Sequence, residues 1–108
     1  MTSGIRQLSA PELKTMMDSG LPFELVDVRT PAERAIASID GSRLLDQEVH
    51  DHLLTLGRDT PIVFQCHHGG RSQAAAEYFS RAGFTNLSNL AGGIDAWSQQ
   101  VDPSVPRY

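Results

Sequence analysis

A chain of 108 residues is enough for one compact domain around one core and too short for two. With 40% apolar and 20% charged residues and a formal net charge of −4, it has the balance of a globular protein. It lacks the basic stripe that tracks phosphates, which argues against a nucleic-acid partner. Cys66 is the only cysteine, so no intramolecular disulfide can form. No apolar run approaches the roughly 20 residues needed to span a bilayer, and Met1 to Gln7 has neither the apolar stretch nor the cleavage site of a signal peptide. The expectation is a cytoplasmic protein without a membrane partner, in a reducing compartment that suits a free thiol.

Apolar segments alternate with helix signals along the chain, which predicts an α/β fold with a mainly parallel sheet. Ile5 to Leu8 reads as a short first strand. Ser9-Ala10-Pro11-Glu12 is a capping box with proline in the first turn. Leu13, Met16 and Met17 follow at helical spacing as core, and Gly20 closes that helix. Phe23 to Val28 is a strand apolar on both faces, interrupted by Asp27 near its C-terminal end. Thr30-Pro31-Ala32-Glu33 repeats the capping-box pattern and opens a short helix. Ile39-Asp40-Gly41 is a turn, and Ser42 to Leu45 a short strand. Asp46 caps a helix that carries Val49, Leu53 and Leu56 on one face and ends at Gly57, with His50 and His52 solvated.

Pro61 to Gln65 is a buried-type strand, with proline tolerated at its first position. A helix over about Ser72 to Ala82 is expected to turn Ala74, Ala75, Tyr78, Phe79 and Ala82 inward and to stop at Gly83. Phe84 to Leu90 holds another short strand, and Gly92-Gly93 turns into a last helix bearing Ala96 and a core Trp97. Pro103 and Pro106 predict an irregular tail over 101–108, beyond a core of about 5–100 in a single domain spanning 1–108.

The chemistry concentrates in Cys66-His67-His68-Gly69-Gly70-Arg71-Ser72, between a buried strand and a helix. In open α/β sheets, ligands bind in the crevice outside the carboxyl ends of the strands. A thiol is a weak nucleophile until it ionises. A loop curled round the sulfur can aim successive backbone N–H groups at it as an anion-binding nest. Gly69 and Gly70 permit the backbone angles that such curling needs, the following helix adds its positive N-terminal end, and Arg71 can add a full charge. Each effect favours a thiolate at Cys66.

Two other readings compete: a buried inert cysteine, and a metal site, for which one cysteine beside two adjacent histidines lacks the spaced ligand pairs of zinc sites. Asp27 and Arg29, at the same end of the sheet, are expected to form a salt bridge that pins the loop, or else to tune the site electrostatically.

On these residues the chain resembles the rhodanese family. The loop is similar to the family pattern Cys-x-x-Gly-x-Arg-Ser at Cys66, Gly69, Arg71 and Ser72. Leu25-Val26-Asp27-Val28-Arg29 with Pro31 and Glu33 is similar to its first signature, and Leu90-Ala91-Gly92-Gly93-Ile94-Asp95-Ala96-Trp97 to its C-terminal one. The resemblance runs from about Ile5 to Trp97. There are departures. Ala37-Ser38-Ile39-Asp40-Gly41-Ser42 stands where the family usually has Gly-His-Ile-Pro-Gly-Ala, and Arg34 where an aromatic is common. His67 and His68 occupy places where members specialised for thiosulfate often carry Arg or Lys.

The resemblance implies a three-layer α/β/α domain with a mainly parallel sheet of about five strands, and a sulfurtransferase that needs no cofactor or metal. Cys66 would carry sulfane sulfur as a persulfide. Backbone N–H groups of His67, His68, Gly69, Gly70, Arg71 and Ser72 would hold the terminal sulfur, and Arg71 would brace the loop or attract anionic donors. Thiosulfate or a persulfide would be the donor, and cyanide, a thiol or the cysteine of a sulfur-accepting protein the acceptor. Related phosphatases and arsenate reductases have one more residue between Cys and Arg than the six counted here from Cys66 to Arg71 inclusive. That ranks them below sulfur transfer. A non-enzymatic carrier or binding module of the same fold is the remaining alternative.

Overall fold

A computed structural model describes residues 4–108; the first three residues of the Met1–Gln7 stretch lie outside the described residues. Ten elements follow in chain order: β1 (Arg6–Leu8), α1 (Ala10–Asp18), β2 (Glu24–Asp27), α2 (Pro31–Ile36), β3 (Arg43–Leu44), α3 (Gln47–Leu54), β4 (Ile62–Gln65), α4 (Gly70–Arg81), β5 (Leu87–Leu90) and α5 (Gly93–Gln100). The strands form one five-stranded sheet in the order β1-β5-β4-β2-β3, and every pairing is parallel. β4 therefore runs between β2 and β5, and Cys66 follows its last residue.

Alternation along the central strand separates two apolar layers. Val63 packs with Leu13 of α1 and Ile94 and Trp97 of α5. Ile62 and Phe64 face the other way, with Leu53 of α3 and Ala76 and Phe79 of α4. With both faces covered, β4 is buried along its whole length. This is the expected three-layer arrangement. Both predicted capping boxes are present, Ser9 with Glu12 and Thr30 with Glu33, each closed by reciprocal hydrogen bonds.

Two expectations are corrected in α4. The helix begins at Gly70, two residues before the predicted start. Its buried residues are Ser72, Ala76 and Phe79, whereas Ala74 and Ala82 are exposed and Tyr78 is 47% exposed. The phase is set by Ser72, which must face Cys66 and Asn89; that turns positions three and four residues on from each buried residue inward and rolls Tyr78 out. The Tyr78 hydroxyl instead meets Nε2 of His50 at 2.8 Å, so this histidine, expected to be solvated, is partnered and half-buried.

The two departures near α2 meet each other. Arg34 donates to the Ser42 hydroxyl at 2.9 Å and to its carbonyl at 2.6 Å, and also reaches Asp27 at 3.1 Å.

Candidate active site

Cys66 sits at the carboxyl end of the central strand, 1% exposed. The chain turns there because of what α5 offers. The first turn of α5 has no side-chain cap. Instead, Ile94 N–H donates to the Cys66 carbonyl at 2.8 Å and Asp95 N–H to the His67 carbonyl at 3.2 Å. The loop thus satisfies the orphan donors of a helix N-terminus. With those two carbonyls held towards α5, the following N–H groups curl back over the sulfur. Gly69 N–H donates to Sγ at 3.1 Å, Ser72 N–H lies 3.4 Å from it, and the Ser72 hydroxyl 3.3 Å.

Burial pushes the Cys66 thiol up. The Ser72 hydroxyl and the N–H groups of Ser72, Gly69 and His68 outweigh burial, and the net displacement is below the ordinary thiol range. The loop's hydrogen bonds to Sγ come from Gly69 and Ser72, fewer residues than the sequence leads one to expect. The curl falls on Gly69 alone, at φ 110°. Gly70 has ordinary helical backbone and opens α4 with free space around it.

Arg71 is placed differently from a free charge beside the sulfur. Its guanidinium is bound in bidentate fashion by Glu33 of α2, at 2.7 and 2.9 Å. Arg71, against the opposing effect of burial, holds the Glu33 carboxyl far below the usual carboxylate range, with Tyr108 and Thr30 adding to it. The same pairing raises the Arg71 guanidinium above its ordinary value. The interaction ties the start of α4 to the start of α2, so Arg71 braces the loop.

Asp27 and Arg29 form a buried pair at 2.7 Å. Arg29 also donates to the Ala37 carbonyl at 2.6 Å and the Glu33 carbonyl at 3.3 Å. The pair therefore fastens the C-terminal end of α2, and neither side chain hydrogen-bonds the Cys66 loop. The link from α2 to the loop is the Glu33–Arg71 bridge.

His67 and His68 stack on each other, with ring centres 3.9 Å apart, and Tyr108 stacks on the other side of His67 at 4.0 Å. Their ring nitrogens and the Asp95 carboxylate lie within 4.8 Å of one another. That carboxylate is taken by Arg107 at 3.0 Å and Gln99 at 2.9 Å.

Sequence reasoning missed four residues of this site. Glu33 reads in the sequence as a helix cap and as part of the first signature, not as the partner of Arg71. Tyr108 lies in the tail, yet its hydroxyl donates to Glu33 at 2.8 Å and accepts from Arg29 at 3.0 Å. Asn89, a buried amide inside β5, contacts both Ser72 and Gly69; a polar residue within a fully buried strand is the signal that marks it. Gly93 reads in the sequence as half of a turn, whereas in the structure it is where the loop backbone and α5 touch.

Residues 9–100 match the family described as Rhodanese-like domain. The chain is 33% identical over 98 residues to the thiosulfate sulfurtransferase GlpE of Pseudomonas aeruginosa, covering 90% of this chain and 87% of that protein. It is 37% identical over 100 residues to the probable adenylyltransferase/sulfurtransferase MoeZ of Mycobacterium tuberculosis. There the match covers 90% of this chain and spans only 26% of the longer relative. Among solved structures, a rhodanese-like domain protein from Staphylococcus aureus superposes with a TM-score of 0.76 at 27% identity, covering 96% of this chain and 99% of that one. A rhodanese-related protein from Thermoplasma volcanium gives 0.73 at 30% identity, covering 95% and 99%.

Proposed function

The chain belongs to the rhodanese-like domain family, and from that membership we propose that it is a sulfurtransferase working through a persulfide on Cys66. The observation that carries the reading is the sulfur at the end of β4, enclosed by N–H donors from Gly69 and Ser72. Those donors suit a negative charge on the sulfur, first as thiolate and then on the terminal atom of a persulfide.

The cycle is a two-step displacement. The Cys66 thiolate attacks the sulfane sulfur of thiosulfate; the bond to the sulfonate sulfur breaks, and sulfite leaves with the electron pair. Cyanide, a thiol or a protein cysteine then attacks the terminal sulfur of Cys66-S–S⁻. The persulfide bond breaks and the thiolate returns, with no net oxidation. With cyanide the product is thiocyanate. Arg71, held by Glu33, keeps the loop closed round the sulfur. The relative GlpE is named for thiosulfate; an organic persulfide is the second donor class. The chain's own groups carry every step, in the cytoplasm, without metal or cofactor.

A purified sample given thiosulfate and cyanide should release thiocyanate with saturation in both substrates. The same sample should not turn over an aryl phosphate or arsenate, since the loop from Cys66 to Arg71 has six residues. Aryl phosphate turnover at a comparable rate would place the chain in the phosphatase branch instead.

A further inference from the structure

Asn89 is 3% exposed in β5. Its Nδ2 donates to the Gly69 carbonyl at 3.2 Å and to Gln7 Oε1 at 2.9 Å. A backbone carbonyl can only accept, so the amide nitrogen must face Gly69 and the amide oxygen must face Ser72. The Ser72 hydroxyl oxygen lies 2.5 Å from Asn89 Oδ1 and 3.3 Å from Cys66 Sγ. It has one hydrogen and two possible acceptors. Asn89 Oδ1, which can only accept, takes that hydrogen, and the hydroxyl lone pairs are left facing the sulfur. In this arrangement Ser72 accepts from a protonated thiol. A sulfur anion requires the hydroxyl to rotate away from Asn89 and donate to Sγ.

We propose that Asn89 is a positioning residue that holds the Ser72 hydroxyl in its accepting orientation and so opposes the N–H nest. The loop N–H groups, and the Ser72 hydroxyl when it donates to Sγ, favour the anion at Cys66; Asn89 competes for that one hydrogen and so favours the thiol. This opposition has a chemical use. Nucleophilicity falls as a thiol becomes more acidic, and the most effective attacking thiol has its midpoint near ambient pH. A nest without the counterweight would give a stable but sluggish thiolate.

Among the described residues, no charged side chain makes this contact. Arg71 of α4 is bound by Glu33 of α2. Asp95 of α5 is bound by Arg107 and lies 3.9 Å from His68 of the loop. His67 is sandwiched between His68 and Tyr108. On β2, Asp27 and Arg29 hold each other. None of these side chains hydrogen-bonds Sγ.

This inference deepens the sulfur-transfer reading and rests on it only for the use made of the anion; its test needs no turnover. The measurement is the pH midpoint of Cys66 alkylation by iodoacetamide. Asn89→Ala releases the Ser72 hydroxyl to donate to the sulfur, and the midpoint should fall by about one unit, the worth of one hydrogen bond to a charged group. A residue that merely braced Gly69 would, when removed, loosen the nest and move the midpoint up. In a Ser72→Ala background, removing Asn89 should have no effect, because the influence passes through that hydroxyl.

A midpoint in Asn89→Ala that stays or rises, or a fall that persists without Ser72, would overturn the proposal. Should Asn89→Ala fail to fold, Asn89→Asp serves. Its carboxylate grips the hydroxyl harder and should raise the midpoint, and a value at or below wild type would equally overturn it. Absence of sulfur transfer by the wild-type protein, with these shifts intact in the variants, would count against the sulfur-transfer reading alone.

Discussion

Cys66→Ser should abolish sulfur transfer, with thiocyanate release falling by about 10³-fold or more while the fold survives. The covalent step needs an atom that is anionic and polarisable near neutral pH and that can form and release a bond to sulfur. A serine hydroxyl is neither acidic nor soft enough. The fold does not share this dependence. Cys66 is buried at a strand end among N–H donors that an oxygen can also use. Its replacement is close to isosteric, so the stability change should stay within about 1 kcal/mol. Thiocyanate production and a thermal unfolding midpoint, measured on the same preparation, separate the two effects. Appreciable turnover by the folded variant would mean that the sulfur never rests on Cys66.

Gly93→Ala should have the largest effect on structure. A Cβ at this position would lie 2.3 Å from the His67 carbonyl oxygen and 2.4 Å from that of Cys66. Both are main-chain atoms, and both are held by the first N–H groups of α5. Neither can rotate aside. The residue also has φ 61°, a left-handed conformation that costs an L-residue roughly 1–2 kcal/mol before any clash is counted. With overpacking added, a loss of about 3 kcal/mol or more is expected. The methyl group separates the loop from α5, so the carbonyls lose their partners and the nest loses its shape. Activity should collapse together with the unfolding midpoint. Gly70→Ala is the control: it sits in helical backbone with open space, and both readouts should be nearly unchanged.

This contrast shows what the sequence made legible. Strand and helix identities followed from apolar runs and capping boxes because those signals are local. Ser9 with Glu12 and Thr30 with Glu33 need nothing from the rest of the chain to form. The proposed nucleophile was legible too, since a cysteine between a buried strand and Gly-Gly-Arg has a local reason to be activated. What sequence could not give was the division of labour among residues brought together from afar. Gly69 and Gly70 are alike to the local argument about curling, and the positive φ of Gly69 shows which one carries the turn.

Arg71 reads in the sequence either as a charge near the thiol or as a brace of the loop, and Glu33, thirty-eight positions away, is what favours the brace. The inward face of α4 was misphased for a related reason. Its register is fixed by Ser72 reaching Cys66 and Asn89, and apolar spacing carries no record of that contact. Tyr108 had no signal at all, because its partners Glu33, Arg29 and His67 are assembled only by the fold.

The central claim is that sulfur rests on Cys66, and the intact mass of the protein tests it directly. After incubation with excess thiosulfate or a small organic persulfide and then desalting, the protein should be heavier by one sulfur atom. Cyanide should remove that mass and release thiocyanate in equal amount, and Cys66→Ser should never acquire it. A protein whose mass stays unchanged with every donor, and which yields no thiocyanate, would contradict the persulfide mechanism.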